Sequence, residues 1–414
     1  MPYTMMNKIN ILATLSLLMS ATAFSQSNSL SSSPYSLYGM GSFNTTNTGK
    51  TASLGYTGIA SSSSESINNL NPASMASIPL NTFFFDMGMK SEYGFQIDGG
   101  TNESKFIANF SDVALAFPLT KKSGVSITLI PYTNVGYSIS NLESDIEGAA
   151  SSFTSDIEGS GGLNDFKLNY GYALLDNLSV GVSGSVLFGQ IIEQETNYIG
   201  TNVLDIYESN SYSGLQVGFG TQYKPFETVT LGAVVTLPTN LSGDQIRDVS
   251  QLYDSDISTE ENLDDFKLPL EVGFGIQTRF LDQVNVALDY KKKYWTDTNQ
   301  TDQLGTFVDQ NLFGLSVEFD PNGNQLKYKN RMQYRAGLTY DTGNLEINDK
   351  KISNYALSLG LGIPISYNTV SMLNLAYSYG KKGQIYDGII QENYHMLTLN
   401  ISLAGRWFQK RMIQ

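Results

Sequence analysis

Residues 355–363 read Tyr-Ala-Leu-Ser-Leu-Gly-Leu-Gly-Ile, and residues 397–404 read Leu-Thr-Leu-Asn-Ile-Ser-Leu-Ala. In the first, Tyr355, Leu357, Leu359, Leu361 and Ile363 alternate with Ala356, Ser358, Gly360 and Gly362. In the second, Leu397, Leu399, Ile401 and Leu403 alternate with Thr398, Asn400, Ser402 and Ala404. Alternation over eight or more residues is the period of a strand, whose successive side chains point to opposite faces. The pattern recurs at 270–277, where Leu270, Val272, Phe274 and Ile276 oppose Glu271, Gly273, Gly275 and Gln277. It recurs again at 178–188, with Gly184 and Leu187 as the two exceptions.

The chemistry of the two faces decides the solvent. A soluble sandwich also alternates, with its greasy face inward. Its strands average ~5–6 residues, whereas these approach the ~10 that a tilted strand needs to cross a bilayer. The polar face here is Gly, Ser, Ala, Asn and Thr, with few long charged side chains. Such a face suits a lumen filled by another part of the chain. We therefore expect an all-β, transmembrane antiparallel β-barrel.

Turns alternate in length, as in outer-membrane barrels, where short periplasmic turns face long external loops. Short turns fall at Thr120–Gly124, Leu175–Asn177, Lys224–Thr228, Phe280–Gln283 and Ser366–Thr369. Longer connections fall at 139–165, 190–212, 242–266, 295–311 and 381–391. The strands read as 82–97, 106–118, 124–138, 163–174, 178–192, 212–224, 228–240, 267–279, 283–294, 311–319, 325–340, 353–365, 369–380 and 391–404. That makes about fourteen. The split at Asp320-Pro321-Asn322-Gly323-Asn324 is supported by parity, because two periplasmic termini require an even number of crossings. Aromatic residues such as Phe83, Tyr290, Tyr294, Trp295, Tyr377, Tyr379, Trp407 and Phe408 sit near strand ends, where interface belts form.

Outside the barrel, residues 1–25 read as a signal peptide: Lys8, an apolar run from Ile9 to Met19, and Ala23-Phe24-Ser25 before a cleavage near Ser25/Gln26. This places the mature protein in the outer membrane. Residues 26–80 are rich in Ser, Asn, Gly and Thr and lack the period, and they read as a lumenal plug. The barrel follows over 81–408, then a short periplasmic tail at 409–414.

Composition bounds the function. The 414 residues contain no Cys and one His, which removes disulfides, thiolate chemistry and His-rich metal sites. A formal charge of −14 argues against nucleic acid as partner. Gly49-Lys50-Thr51 resembles the end of a phosphate loop, but Asn44 stands where the first Gly belongs, so it reads as a turn. His395 lacks a Ser or Asp partner in a catalytic arrangement, and no enzyme activity or cofactor is expected. Residues 141–165 and 243–266 are acidic, and read as solvated loops rather than calcium loops, which need Gly at position 6. Their carboxylates would also let Mg²⁺ or Ca²⁺ bridge to anionic surface glycolipid. Lys291, Lys292 and Lys293 end the ninth strand at the proposed outer rim, where they are candidate contacts to lipid phosphates.

The stretch from Ala60 to Ala73, ending Asn71-Pro72-Ala73, resembles the N-terminal signature of the FadL-like family of hydrophobic-compound transporters. Ser33-Pro34-Tyr35-Ser36-Leu37-Tyr38-Gly39 and the basic end Gly405-Arg406-Trp407-Phe408-Gln409-Lys410-Arg411 are similar to outer-membrane proteins common in Bacteroidetes. The resemblance implies fourteen strands, a plug, and passive transport of small hydrophobic molecules, fatty-acid-like or aromatic, through a lateral opening. It also implies an alternative, since some such barrels are non-enzymatic subunits of the type IX protein secretion translocon, partnered by a large secretion-complex protein. A lateral opening requires a kinked strand, and Pro131 in the third strand is the candidate, because Pro cannot donate to the ladder.

Overall fold

The computed structural model describes residues 30–44, 48–98, 101–145, 152–251, 257–300, 305–321, 328–366, 369–386 and 388–406. The expected signal peptide, its cleavage near Ser25/Gln26, the tail at 409–414, Trp407 and Phe408 lie outside the described residues.

The wall is a closed antiparallel barrel of fourteen strands. In chain order they are β1 (Thr82–Asp98), β2 (Thr101–Thr120), β3 (Ser123–Pro131 continued by Thr133–Asp145) and β4 (Ser152–Leu175). Next come β5 (Leu178–Ile199), β6 (Asn202–Phe226), β7 (Val229–Thr236 continued by Thr239–Gln251) and β8 (Ile257–Leu268 continued by Glu271–Phe280). The ring is completed by β9 (Val284–Lys293), β10 (Gln310–Phe319), β11 (Gln333–Asp341), β12 (Asn354–Pro364), β13 (Met372–Lys382) and β14 (Gln391–Arg406). Each strand pairs with its sequence neighbour, and β14 returns to β1 in register from Thr82↔Arg406 to Ile97↔Gln391. Closure leaves no edge within the bilayer, where an unpaired backbone group would cost several kcal/mol.

Burial is inverted relative to a water-soluble protein. On β6, Leu215, Val217 and Phe219 are exposed, while Gln216 between them is buried. On β10, Phe313, Leu315 and Val317 point out, and Ser316 and Glu318 point in. Asn169, Ser126 and Asn400 are also fully buried inside. Apolar outside and polar inside is the signature of a lipid-solvated barrel. Aromatic ladders mark both rims on the outer face: Tyr290, Phe313 and Tyr340 stack near one end, and Phe319 against Tyr334 near the other.

The split of the tenth and eleventh strands holds, although β11 begins at Gln333 rather than 325. The external connections at 139–165, 190–212 and 242–266 are corrected. They are largely continuations of the wall strands: β4, β5 and β6 run 24, 22 and 25 residues. The described residues of the acidic segments therefore lie mostly on hairpins, with Gln245↔Glu261 and Asp248↔Ser258 paired between β7 and β8. Above the bilayer both faces meet water, so the apolar alternation that betrays a strand is lost while pairing continues.

Residues 49–78 lie inside the ring. They contain two 3₁₀ helices, Gly49–Ser53 and Pro72–Ser77. This segment touches inward glycines on strands all around the wall: Met75 lies against Gly124, Ala76 against Gly171, Ile59 against Gly275, Thr57 against Gly314 and Gly55 against Gly337. Inward glycines let another backbone approach closely.

Candidate functional site

The Asn71-Pro72-Ala73 element is an anchor. Asn71 caps the helix that follows, its Oδ1 accepting from the Ala73 N–H at 3.0 Å. Its Nδ2 donates to Ile59 O at 2.7 Å and to Thr221 O on β6 at 3.1 Å. Pro at the first helical position loses no bond, since that N–H has no intrahelical partner. Ala73 is fully buried against Gly181 on β5, where a Cβ would overlap its amide nitrogen. One short motif thus caps a helix, ties it to a neighbouring loop and fastens both to the wall.

Further contacts lead away from this anchor. Asp289 on β9 accepts the amides of Gly58 and Ile59 at 2.7 and 2.8 Å. Asn169 on β4 donates to Asn69 Oδ1 at 2.7 Å. Lys50 reaches Glu318 on β10 at 3.0 Å, and Arg335 on β11 reaches the same carboxylate at 3.1 Å. The bonds continue from Arg335 to Asn374, from Asn374 to Ser402 and from Ser402 to Asn400. Asn400 then donates to Asp112 on β2. Nothing in the spacing of these residues signals the network, which joins positions as far apart as Lys50 and Ser402.

The wall is interrupted at Pro131. Pairing of β2 with β3 runs only from Val113↔Leu129 to Thr120↔Ser123. From Pro131↔Asn164 to Val135↔Gly161, β3 advances four residues while β4 advances three, a one-residue bulge. Beyond it, the outer half of β3 pairs with β4, the outer half of β2 pairs with β1, and the two halves part. Residues 30–44 stopper the base of this opening. Ser42 and Phe43 pair with Asn134 and Thr133 as a two-residue strand. Leu30 donates its N–H to Val135 O at 3.1 Å and accepts from Asn109 at 2.7 Å.

Behind the stopper is a cavity of about 210 Å³, lined by Ile107, Ile130 and Pro131 but also by Lys90, Glu92, Lys382 and Glu392. The lining is therefore mixed, with charged groups set among apolar ones. Other apolar residues at this level are packed solid. Met40, Tyr132, Leu163, Leu187, Leu241, Phe266, Leu268, Trp295 and Phe307 form one buried cluster, with Trp295 and Phe307 stacked at 5.1 Å.

The three lysines of β9 do not act as a set. Lys291 and Lys293 point inward toward Glu271, at 3.8 and 2.9 Å. They therefore face away from lipid. Only Lys292 lies on the outer face, 3.1 Å from Asp309 and 4.4 Å from the centre of the Tyr294 ring. The Thr296 N–H and the Lys292 amine hold the Asp309 carboxyl below its usual range despite its partial burial. His395 is on the outer wall, its Nδ1 2.7 Å from the Tyr377 hydroxyl.

A closed fourteen-stranded antiparallel barrel, apolar outside and polar inside, with residues 49–78 within the ring, is a transmembrane β-barrel. The chain belongs to the BamG family, whose model matches residues 5–414. Among solved structures, the Pseudomonas putida toluene transporter TodX superposes with a TM-score of 0.63 at 14% identity, covering 89% of this chain and 99% of that one. A Pseudomonas aeruginosa FadL homologue gives 0.61 at 11% identity, covering 89% and 100%. The CymD monoaromatic hydrocarbon channel gives 0.58 at 15% identity, again covering 89% and 100%. Identities this low establish a shared fold. None of the curated proteins matches the sequence.

Proposed function

We propose that this protein is exported through residues 1–25 to the outer membrane, where it passes small hydrophobic molecules without chemical change. Residues 26–80 act as the plug. A molecule enters from outside and leaves sideways between β2 and β3 when residues 30–44 swing clear. The observation that carries this reading is the break at Pro131, held shut by the Ser42–Asn134 and Phe43–Thr133 pairs and by backbone bonds from Leu30 and Asn44. The structural neighbours described as toluene transporters and a monoaromatic hydrocarbon channel support it. Lys292 contributes a contact to lipid phosphate at the outer rim.

The chain has no Cys, which makes the test clean. A Ser42→Cys, Asn134→Cys pair locks the stopper to the wall when oxidised. Uptake of radiolabelled toluene by cells should fall several-fold on oxidation and recover on reduction. Equal uptake in both states would sink the lateral route.

A second reading is favoured by a separate observation. Lys90, Glu92, Lys382 and Glu392 line the cavity behind the stopper, and β4 to β8 rise well beyond the membrane band. Both suit a non-transporting subunit of a larger outer-membrane assembly, such as a secretion complex. Gentle solubilisation separates the readings, because a particle of one barrel plus detergent supports the transporter. A larger particle with a stoichiometric partner supports the subunit.

A further inference from the structure

Above the stopper, the parted halves of β2 and β3 leave a cleft that neither reading uses. Among the described residues, no strand pairs with the β3-facing edge of Asn102–Asp112 or with the β2-facing edge of Ser138–Ser144. A cavity of about 500 Å³ lies between them, lined by Gln96, Glu103 and Lys105 on one side, by Ser138 and Ile139 on the other, and by Tyr35 and Leu37 of the stopper below. Its lining on β2 begins at Glu103, two residues from the start of that strand at Thr101, and so it lies toward the outer end of the cleft.

Open strand edges are templates for an added strand. The lower end of this edge already accepts one, since Ser42 and Phe43 pair with Asn134 and Thr133. One step further out, Leu30 donates a backbone bond to Val135. Just above, Lys105 Nζ reaches across the cleft and donates to the Gly136 carbonyl at 3.2 Å, while the Gly136 N–H donates to Ser36 Oγ of the stopper at 3.0 Å. A lysine amine thus occupies the place of a backbone donor. Natural edges are commonly blunted by lysine in this way.

We infer that this cleft receives an extended peptide from a partner protein, which adds as a strand to the outer edge of β3 and continues the pairing begun by residues 42–43. The lining sets Tyr35, Leu37 and Ile139 beside Glu103 and Ser138, which suits a peptide of alternating apolar and polar residues. Glu103 within the cleft, with Glu143 and Glu158 on the adjoining β3–β4 hairpin, favours lysine or arginine at alternate positions. Binding displaces Lys105 from Gly136, so a peptide donor replaces an amine donor. This inference stands apart from hydrophobic passage, because it concerns the open edge of β3 and needs no movement of molecules through the wall.

The test is hydrogen exchange on the full barrel in nanodiscs, with acetyl-Lys-Val-Lys-Val-Lys-Val-amide as the probe peptide. The probe should slow exchange of amides within 138–144 by tenfold or more. A peptide with Asp in place of Lys should not. Ser140→Pro, which removes a donor from β3 and distorts its edge, should abolish the protection, and unchanged heat-dependent gel migration certifies that the barrel is folded. Lys105→Ala keeps the edge and should retain or strengthen the protection. No protection by the probe in either the wild type or Lys105→Ala would overturn the inference. Equal protection by the Asp peptide would overturn it, as would the same protection by added phospholipid alone, which would make the cleft a lipid site.

Discussion

The Lys50 amine lies 3.0 and 3.1 Å from the two carboxylate oxygens of Glu318. It ties the segment inside the ring to the wall by an ion pair, and Arg335 shares the same acceptor. Removing one member of a buried pair is costly because the survivor is left uncompensated. Lys50→Met leaves Glu318 with Arg335, so we expect a modest loosening of the plug, on the order of 1–2 kcal/mol. Glu318→Gln leaves two cations facing each other and should cost more, on the order of 3–5 kcal/mol. In planar bilayers both variants should show brief openings absent from the wild type, more often in Glu318→Gln. The reverse order would mean the tie is not what holds this end.

Glycine positions offer a matched comparison. Gly181 faces Ala73, and any side chain there displaces the Pro72–Ser77 helix; Gly184 faces outward with nothing within 4 Å. Gly181→Val should open the lumen and raise conductance. Gly184→Val should leave conductance unchanged and raise thermal stability slightly, since Gly weakens strand interiors.

Asn71→Ala removes a helix cap, typically worth ~1 kcal/mol, and with it the donors to Ile59 and Thr221. We expect faster proteolysis within 55–75, while the heat-dependent gel migration of the barrel stays unchanged. Asn71→Asp retains the cap acceptor but not the donors, and should fall between the two.

The external hairpins respond to pH through Glu208. Burial pushes its carboxyl above the ordinary value, and Glu193, Glu195 and Glu261 push the same way against Arg247. A glutamate raised in the folded state gives stability that is complete below its unfolded value and is lost as pH rises through the folded one. Protection factors in the β5–β6 hairpin should therefore rise between pH 7 and pH 5, and Glu208→Gln should flatten the rise. Factors that fall with acid would contradict this.

The wall was legible because lipid imposes a strict rule. Every second residue of a spanning strand must be apolar, so Leu397 to Leu403 announces itself. The rule lapses above the membrane, which is why the strand character of 193–199 and 202–211 was hidden. Alternation also carried information that a run of like charges obscured. Adjacent Lys291, Lys292 and Lys293 cannot share one face, and only Lys292 points outward. Pro131 is the last residue of the inner half of β3, beside the register shift. Its stopper, Ser42–Phe43, is two residues without a pattern, and the Lys50–Glu318 tie spans 268 positions. Neither leaves a local trace.

The central claim is that the N-terminal segment fills and closes the lumen. Its most direct test is single-channel conductance of the protein lacking residues 30–70, compared with the intact chain. A large, steady conductance in the deletion beside a nearly silent intact protein is the expected result. Equal conductance in the two would contradict the account.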